Sequence, residues 1–224
     1  MSVPDAPTLL AGEEAARAWL ETELQPTAAQ WHQLEEFAAM LRRASAEQNL
    51  VAASTLASIW VRHIADSAQL LRFDARGGTG VWLDLGSGAG LPGMIAAILT
   101  ERPVWLVDSR KLRCAFLREA SEALGLGARV RIVESRLEAL PTHAMATISA
   151  RAFAPLDRLI GLSTRFSTKS TRWLLPKGRN AVKELAELPA SWQTLFHVEQ
   201  SLTSAGSAIL VGLGTVAAQQ RGRK

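Results

Sequence analysis

Apolar residues in the first 75 positions recur every three or four places, and this spacing predicts amphipathic helices. We expect helices over residues 9–24, from residue 28 onward, and over about 54–71. Thr27-Ala28-Ala29-Gln30 has the form of a capping box, in which two side chains bond each other's backbone amides at a helix start. The expected buried stripe of the second helix consists of Trp31, Leu34, Ala38 and Leu41. The chain therefore opens with helices.

Beyond about residue 80, short apolar runs alternate with helical patterns. Strands are expected at residues 81–85, 104–108, 129–134, 146–150, 172–175, 193–200 and 207–213. Helices are expected at 92–100, 111–124, 156–167 and 181–188, with Gly125 as a C-terminal stop. This alternation predicts parallel strands joined by right-handed crossovers, whereas the last two strands predict an antiparallel hairpin at one edge. We therefore predict an α/β fold with a mostly parallel, doubly wound sheet.

The change of pattern also predicts how the chain is divided. Residues 1–75 are expected to form a helical extension packed on the core, and residues 76–218 the α/β domain. Residues 76–80 have the composition of a flexible joint, and residues 219–224 that of a disordered basic tail. A chain of 224 residues, 48% of them apolar, is long enough to bury one substantial core.

Charge is distributed unevenly along the chain. Residues 1–80 contain six Lys/Arg and ten Asp/Glu, a balance of −4, whereas residues 81–224 contain nineteen and eleven, a balance of +8. A basic surface attracts phosphate-rich polymers, so nucleic acid is a reasonable partner. Arginines that only solubilise helix faces would give the same balance.

The cysteine, the apolar stretches and the histidines limit which cellular compartment and which metal sites we expect. Cys114 is the only cysteine, which excludes an intrachain disulfide and is typical of a reducing cytoplasm. The N-terminal residues are acidic and no 18-residue apolar stretch occurs, so we expect a soluble cytoplasmic protein with no membrane partner. The four histidines are scattered, and no metal site is expected; they are His32, His63, His143 and His197. The oligomeric state stays open, with a monomer favoured.

A glycine-rich loop, DLGSGAGLPG at residues 84–93, lies between an apolar strand and a helix. Gly86, Gly88 and Gly90 let the chain turn sharply and let a ligand approach the backbone amides at the carboxyl end of the sheet. Asp84 is suited to holding an ammonium group. Asp108 ends the next strand, where its carboxylate can accept hydrogen bonds from both ribose hydroxyls. Such a loop can cradle a pyrophosphate or the aminoacyl and ribose parts of S-adenosylmethionine.

The loop alone does not decide between these ligands, because Gly88-x-Gly90-x-x-Gly93 also matches the dinucleotide fingerprint. The alternating glycines after Asp84, the position of Asp108 and the lack of length for a dehydrogenase substrate domain favour S-adenosylmethionine. Two structural alternatives stay open. The glycines would also serve a simple tight turn, and Asp108 would also serve as a helix cap.

The loop and the next strand resemble a known family. Residues 84–93, followed by Leu106-Val107-Asp108-Ser109, Arg113 and Phe116-Leu117-Arg118, resemble the small-subunit rRNA guanine-N7 methyltransferases, also called the glucose-inhibited division protein B family. Further matching motifs, in order along the chain, are Arg62-His63-Ile64-Ala65-Asp66-Ser67, Ser135-Arg136-Leu137-Glu138, Arg151-Ala152-Phe153-Ala154 and Lys177-Gly178. The resemblance covers roughly Asn49 to Gly178, and the combination is specific although no single motif is.

The resemblance implies a Rossmann-like class I methyltransferase fold, S-adenosylmethionine as donor, and an exposed loop of 16S rRNA near the decoding site, in free rRNA or in the small subunit, as acceptor. The family's cofactor contacts carry over to Gly86, Leu91, Leu137, Glu138 and Arg151. Two departures concern local contacts only. Arg43 stands where the family usually has tryptophan, and Lys111 comes one position early after Asp108-Ser109.

Guanine N7 carries a lone pair and no proton at neutral pH, so its methylation needs no general base. Catalysis can rest on positioning, which is worth up to ~7–11 kcal/mol in favourable systems. We therefore assign no acid or base, and Arg151 is the one candidate for a catalytic contact. Exocyclic amine methylation is disfavoured, because no Asn/Asp-Pro-Pro-aromatic motif occurs. Cys114 lies within a helix and has the pattern of a small buried residue rather than a nucleophile.

In A-form RNA, N7 lies in a deep and narrow groove, so an RNA loop or a flipped base is the expected substrate. The predicted RNA-binding residues are Arg62, His63, Arg151, Lys177 and Arg179. A solvated loop remains an alternative for Lys177 and Arg179, and a polar brace remains one for His63.

Three other functions stay open. The first is a methyltransferase of the same fold that acts on a small molecule or a protein. The second is a nicotinamide-dependent oxidoreductase, and the third is a non-catalytic RNA-binding protein with a degenerate loop.

Overall fold

A computed structural model of the chain describes residues 8–74 and 78–215, and seven strands in it form one sheet. The strands are β1 Trp82–Leu85, β2 Val104–Asp108, β3 Val130–Glu134, β4 Thr147–Ala150, β5 Arg172–Lys177, β6 Phe196–Gln200 and β7 Ala208–Leu213. Their order is β3-β2-β1-β4-β5-β7-β6. β1 to β5 are parallel, and β7 runs antiparallel between β5 and β6. The predicted sheet and its antiparallel edge are confirmed.

Helices precede the sheet and connect its strands. The α-helices are α1 Glu13–Trp19, α2 Ala28–Gln48, α3 Asp66–Ala68, α4 Gly93–Leu99, α5 Lys111–Ala123, α6 Leu156–Ser163, α7 Ala181–Ala186 and α8 Ala190–Gln193. Two π-helical segments occupy Leu20–Leu24 and Trp60–Ala65. Short 3-10 segments occupy Ala53–Ser58, Gln69–Arg72, Leu137–Ala139 and Thr164–Phe166.

The pleat of the strands sends alternate side chains to two hydrophobic cores. In β2, Val104 and Leu106 belong to one core, and Val107 belongs to the other. The first core also contains residues of α1, α2, α4 and α5, and the second contains residues of α6 and α7. Both faces of the sheet are therefore covered, as a doubly wound fold requires.

The start of α2 follows the sequence prediction. The Gln30 amide donates to Thr27 Oγ1 at 3.2 Å, and the Thr27 amide donates to the Gln30 side chain at 2.9 Å, which completes the capping box. Of the expected buried stripe, Leu34, Ala38 and Leu41 are buried, whereas Trp31 is only partly buried.

Two predicted elements differ from the structure. Residues 54–71 form successive 3-10, π and α segments rather than one regular helix. The amides of Trp60 and Val61 donate to the carboxylate of Glu13 in α1, which takes these donors out of a regular helical ladder. The strand expected from residue 193 begins at Phe196, because Pro189 opens the short helix α8.

The predicted division of the chain is only partly within the described residues. The expected joint at 76–80 lies partly outside them, and the expected tail at 219–224 lies wholly outside. The first core includes side chains of both the N-terminal helices and the sheet. Across residues 8–74 and 78–215, no helix combines the length and apolarity needed to traverse a bilayer.

Candidate active site

The glycine loop connects β1 to α4 at the carboxyl end of the sheet, beside the point where the strand order reverses. Gly86, Gly88 and Gly90 have φ angles of +64°, +55° and +83°, a region that side chains rarely adopt. A Cβ at Gly86 would collide with the ring of Phe153, which follows β4. The glycines therefore serve both the turn and the close approach of a neighbouring segment.

Asp108, at the end of β2, reaches the glycine loop directly. The Gly88 amide donates to Asp108 Oδ2 at 3.0 Å, and the Arg110 amide donates to Oδ1 at 2.8 Å. The Arg110 and Arg113 guanidinium groups lie 3.5 Å and 4.0 Å from the same carboxylate. The loop and the carboxylate thus converge, as the sequence predicts. The bond from Arg110 also shows that Asp108 stabilises the start of α5.

Asp84 lies beneath the loop and is fully buried. Its Oδ1 accepts a hydrogen bond of 2.6 Å from Ser149, whose hydroxyl accepts one of 2.8 Å from the Trp82 indole. Its Oδ2 lies against Gly93 and has no hydrogen-bond partner of ordinary geometry. Burial raises the pKa of Asp84 to about 6, opposed by the Ser149 bond. Contact with a cofactor ammonium group stays a prediction, and the carboxylate has no exposed surface here.

The remaining predicted cofactor residues are less directly placed. Leu91 and Leu137 are buried in the two cores, and the Leu137 carbonyl accepts from Arg165. Their side chains therefore pack, which leaves backbone groups for any cofactor contact. Glu138 is exposed, and no hydrogen bond or ion pair joins it to Asp108 or to the glycine loop among the described residues.

A cleft of about 1000 Å³ opens next to the loop. The segment after β4 forms one wall and includes Phe153, which packs on Gly86 and so connects the cleft to the loop. Ala152 precedes it with a φ of +52°, an unusual conformation for alanine that bends this segment. The predicted RNA-binding residues that line the cleft are Arg62, His63, Arg151 and Lys177. Arg179 is exposed and is not part of the lining.

Arg151 is surrounded by groups from the N-terminal helices. Its guanidinium nitrogens lie 3.4 Å from His63 Nδ1 and 3.4 Å from Asp66 Oδ2. His63 is buried, and its Nε2 lies 2.7 Å from the Thr55 hydroxyl. Burial, followed by the charges of Arg151 and Arg62, lowers the pKa of His63 to about 4, so the ring is neutral at neutral pH. Both ring nitrogens have protein neighbours, which argues against the direct RNA contact expected for His63.

Lys177 is paired within the cleft. Its ammonium lies 2.8 Å from Glu184, and its side chain is 11% exposed. The positive charge is therefore partly compensated before any phosphate arrives.

Sequence reasoning missed three contributors to the site. Asp66 and Phe153 each belong to a motif that matches the family, but the sequence assigned neither of them a role. Thr55 gave no signal, because a single threonine near the start of a helix is common. Only folding brings Asp66, and the His63 ring that Thr55 contacts, to Arg151 at the end of β4.

The chemistry of these groups fits a site that binds and positions. It offers loop amides, a strand-end carboxylate and guanidinium groups, and no nucleophile paired with a general base among the described residues. Cys114 is buried, and its thiol bonds the carbonyl of Asp108. Burial raises the pKa of that thiol, which disfavours the reactive thiolate. Within the described part of the chain, no group of His, Cys, Asp and Glu side chains is arranged to hold a metal.

Comparison with known proteins agrees with this geometry. The family described as "GidB: rRNA small subunit methyltransferase G" matches residues 30–210. A ribosomal RNA small subunit methyltransferase G from Sphingopyxis alaskensis is 61% identical over 218 residues, which cover 97% of this chain and 93% of that protein. The protein of the same name from Novosphingobium aromaticivorans is 53% identical and is matched over 91% of this chain and 89% of its own length.

A solved structure supports the fold. An RNA methyltransferase from Salinibacter ruber, in complex with S-adenosyl-L-homocysteine, superposes with a TM-score of 0.51 at 13% identity. The match covers 72% of this chain and 95% of that one, and it confirms the predicted Rossmann-like class I methyltransferase fold. With a family match over most of its length and relatives above 50% identity, this chain belongs to the rRNA small subunit methyltransferase G family.

Proposed function

We propose that this protein transfers a methyl group from S-adenosylmethionine to N7 of a guanine in an exposed loop of 16S rRNA. The observation that carries the proposal is the contact of 3.0 Å between the Gly88 amide and Asp108 Oδ2, in a chain of this family. This contact places two groups side by side: a loop whose backbone a ligand can approach closely, and a carboxylate suited to binding ribose hydroxyls.

The residues at this place fit a nucleoside cofactor. Each oxygen of Asp108 accepts one backbone hydrogen bond and retains a second lone pair for a ribose hydroxyl. The side chain of Asp108 is only 3% exposed, and the guanidinium group of Arg110 lies 3.5 Å from its carboxylate. Because the side chain of Arg110 is 61% exposed, it can turn away and give a ligand access to Asp108. When bound, the cofactor would supply a sulfonium methyl group, whose carbon an unprotonated ring nitrogen can attack while S-adenosylhomocysteine departs as the leaving group.

The cleft beside the loop is suited to the acceptor. Phe153 contributes an aromatic ring where the cleft meets Gly86, and an unstacked base can lie against such a ring. Arg62, Arg151 and Lys177 supply positive charge for the RNA backbone. The absence of a paired nucleophile and base among the described residues suits N7, which has no proton to lose. We assign positioning of the acceptor to Arg151.

The product identifies the reaction. We expect tritiated methyl groups to enter 16S rRNA or small subunits in preference to proteins and small acceptors, and the labelled nucleoside to be N7-methylguanosine. Mass spectrometry of rRNA from cells with and without the protein would locate the base. Label in a protein, a small molecule or another nucleoside would contradict the proposal.

The cofactor site has its own test. Asp108→Ala should weaken S-adenosylhomocysteine binding by roughly 1.5–3 kcal/mol in calorimetry, because charge-assisted hydrogen bonds are lost. Asp157→Ala removes a carboxylate that lines the cleft instead, and it should leave this affinity unchanged. Unaltered affinity in Asp108→Ala would remove Asp108 from the site, and a response to nicotinamide dinucleotides would favour an oxidoreductase.

We further propose that the protein acts as a monomer in the cytoplasm. A ribosomal substrate and a single buried cysteine support this compartment. Light scattering at micromolar concentration should give the mass of one chain, and a mass twice that would contradict the monomer.

A further inference from the structure

Arg151 leaves the end of β4 and is held from the side by the N-terminal helices. Its Nη1 and Nη2 each lie 3.4 Å from Nδ1 of His63, and Nη1 also lies 3.4 Å from Oδ2 of Asp66. Its side chain is 22% exposed, so most of the guanidinium group is enclosed while part of it reaches the cleft. The two neighbours therefore restrict the direction in which Arg151 points.

The contacts of Thr55 fix which nitrogen of His63 carries the ring proton. The single hydroxyl proton of Thr55 is donated to the Ala52 carbonyl oxygen at 2.6 Å. The hydroxyl must therefore accept at its 2.7 Å contact with His63, so Nε2 is the protonated nitrogen. Nδ1 is left with a lone pair that faces the guanidinium group. Toward Arg151, His63 is a hydrogen-bond acceptor.

The second neighbour, Asp66, is itself held in place. Its Oδ1 accepts hydrogen bonds from the Thr203 hydroxyl at 2.5 Å and from the Gln69 amide group at 3.0 Å. Gln69 in turn accepts a bond of 2.8 Å from the Leu202 amide. Asp66 is therefore anchored to the loop between β6 and β7, and it is not free to follow a displaced side chain.

We propose that His63 is a positioning residue for methyl transfer, whose Nδ1 lone pair holds the guanidinium group of Arg151 in the orientation that meets the RNA acceptor. This inference rests on the proposed role of Arg151. It replaces the RNA contact that the sequence suggests for His63, and it accounts for a buried neutral histidine in the wall of the cleft. Low pKa and burial keep the ring from becoming a cation beside Arg151.

Two amide substitutions separate positioning from packing. Asn can place an oxygen near the position of Nδ1, whereas Gln reaches the position of Nε2 and can keep the contact with Thr55. We expect His63→Gln to lower kcat for 16S rRNA by ~10–100-fold, the size of effect that misplacement of a contact group produces. His63→Asn should restore most of the rate. Equal rates for both variants, or a faster Gln variant, would overturn the proposal.

A double-mutant cycle with Arg151→Ala then separates this proposal from the proposed function. If His63 acts through Arg151, His63→Gln should add no further loss of rate in the Arg151→Ala background. Losses that multiply, or full activity of His63→Gln beside an impaired Arg151→Ala, would overturn the positioning role alone. Full activity of Arg151→Ala would instead contradict the role of Arg151 in the proposed function. Thermal unfolding of each variant confirms that it is folded at the assay temperature.

Discussion

Asp84 is a carboxylate that the fold keeps entirely away from water. Its pKa is about 6 in the folded chain and near 3.8 in the absence of burial. Because the folded state holds the proton more tightly, Asp84 stabilises the fold below pH 3.8, and this contribution is lost as pH rises through about 6. Above that pH, the buried charge costs roughly 3 kcal/mol relative to the protonated group.

Asp84→Asn should therefore stabilise the protein at alkaline pH. Asn retains an oxygen for the Ser149 hydroxyl and removes the charge. We expect the free energy of unfolding, from urea titration, to rise by about 1–3 kcal/mol at pH 8 and by clearly less at pH 5. A gain of the same size at both pH values would show that Asp84 does not titrate in this range.

Lys177 is the cation in the cleft whose charge is compensated most directly, by Glu184 at 2.8 Å. A phosphate must compete with this carboxylate, so Glu184→Gln should tighten RNA binding by about three- to tenfold at low salt. Lys177→Ala should weaken binding and flatten its salt dependence. Filter binding across a salt series measures both. An unchanged salt slope in Lys177→Ala would show that Lys177 does not contact phosphate.

Among elements, the glycine loop and the segment after β4 depend on each other. Gly86 and Gly125 have similar φ angles of +64° and +67°, but a Cβ at Gly86 meets the Phe153 ring, whereas one at Gly125 meets nothing within 4 Å. Gly125→Ala should thus cost only the strain of the backbone, about 1–2 kcal/mol. Gly86→Ala carries the same strain and must also displace Phe153.

We therefore expect Gly86→Ala to reduce both S-adenosylhomocysteine affinity and methyl transfer by at least tenfold, while Gly125→Ala changes neither. Calorimetry and tritium transfer on the two variants provide the comparison, and urea unfolding gives the shared strain. Equal activities of the two variants would show that contact between the loop and Phe153 is unimportant.

The elements themselves were largely predictable from the sequence. The bounds of β2 match the expected residues, and the capping box placed the start of α2, because alternation and capping are local signals. The irregular run at 53–72 was not predictable, since its helical ladder is interrupted by Glu13, 47 and 48 residues earlier. Pattern analysis of one segment cannot detect a hydrogen-bond donor or acceptor that a distant segment of the chain supplies.

At the scale of the whole molecule, the same limit explains which residues of the site could be found by sequence analysis. Gly88 and Asp108 were predicted to meet, because consecutive parallel strands end at one edge of the sheet. His63 and Asp66 reach Arg151 only because the N-terminal helices pack beside the sheet, and His63 is 88 residues from Arg151. The residues that surround Arg151, on the side of the site proposed for the RNA, can therefore be identified only from the folded structure.

The same packing predicts that the N-terminal helices and the sheet unfold together. Phe37 of α2 and Phe116 of α5 pack with ring centroids 6.4 Å apart within one core. A buried ion pair reinforces the junction, since Arg102 binds Asp74 and the Gly80 carbonyl, and Asp74 accepts a bond of 2.8 Å from Thr147. Circular dichroism and tryptophan fluorescence should thus report one coincident urea transition.

Arg102→Ala should lower the free energy of unfolding by roughly 3–5 kcal/mol, because it leaves the carboxylate of Asp74 buried without its partner. Arg43 offers a matched control, because its pair with Glu36 is exposed and Arg43→Ala should cost less than about 1 kcal/mol. If the two parts unfold as one unit, Arg102→Ala shifts both signals equally. Two separate transitions, or a shift in only one signal, would show that residues 1–75 are an independent folding unit rather than part of this core.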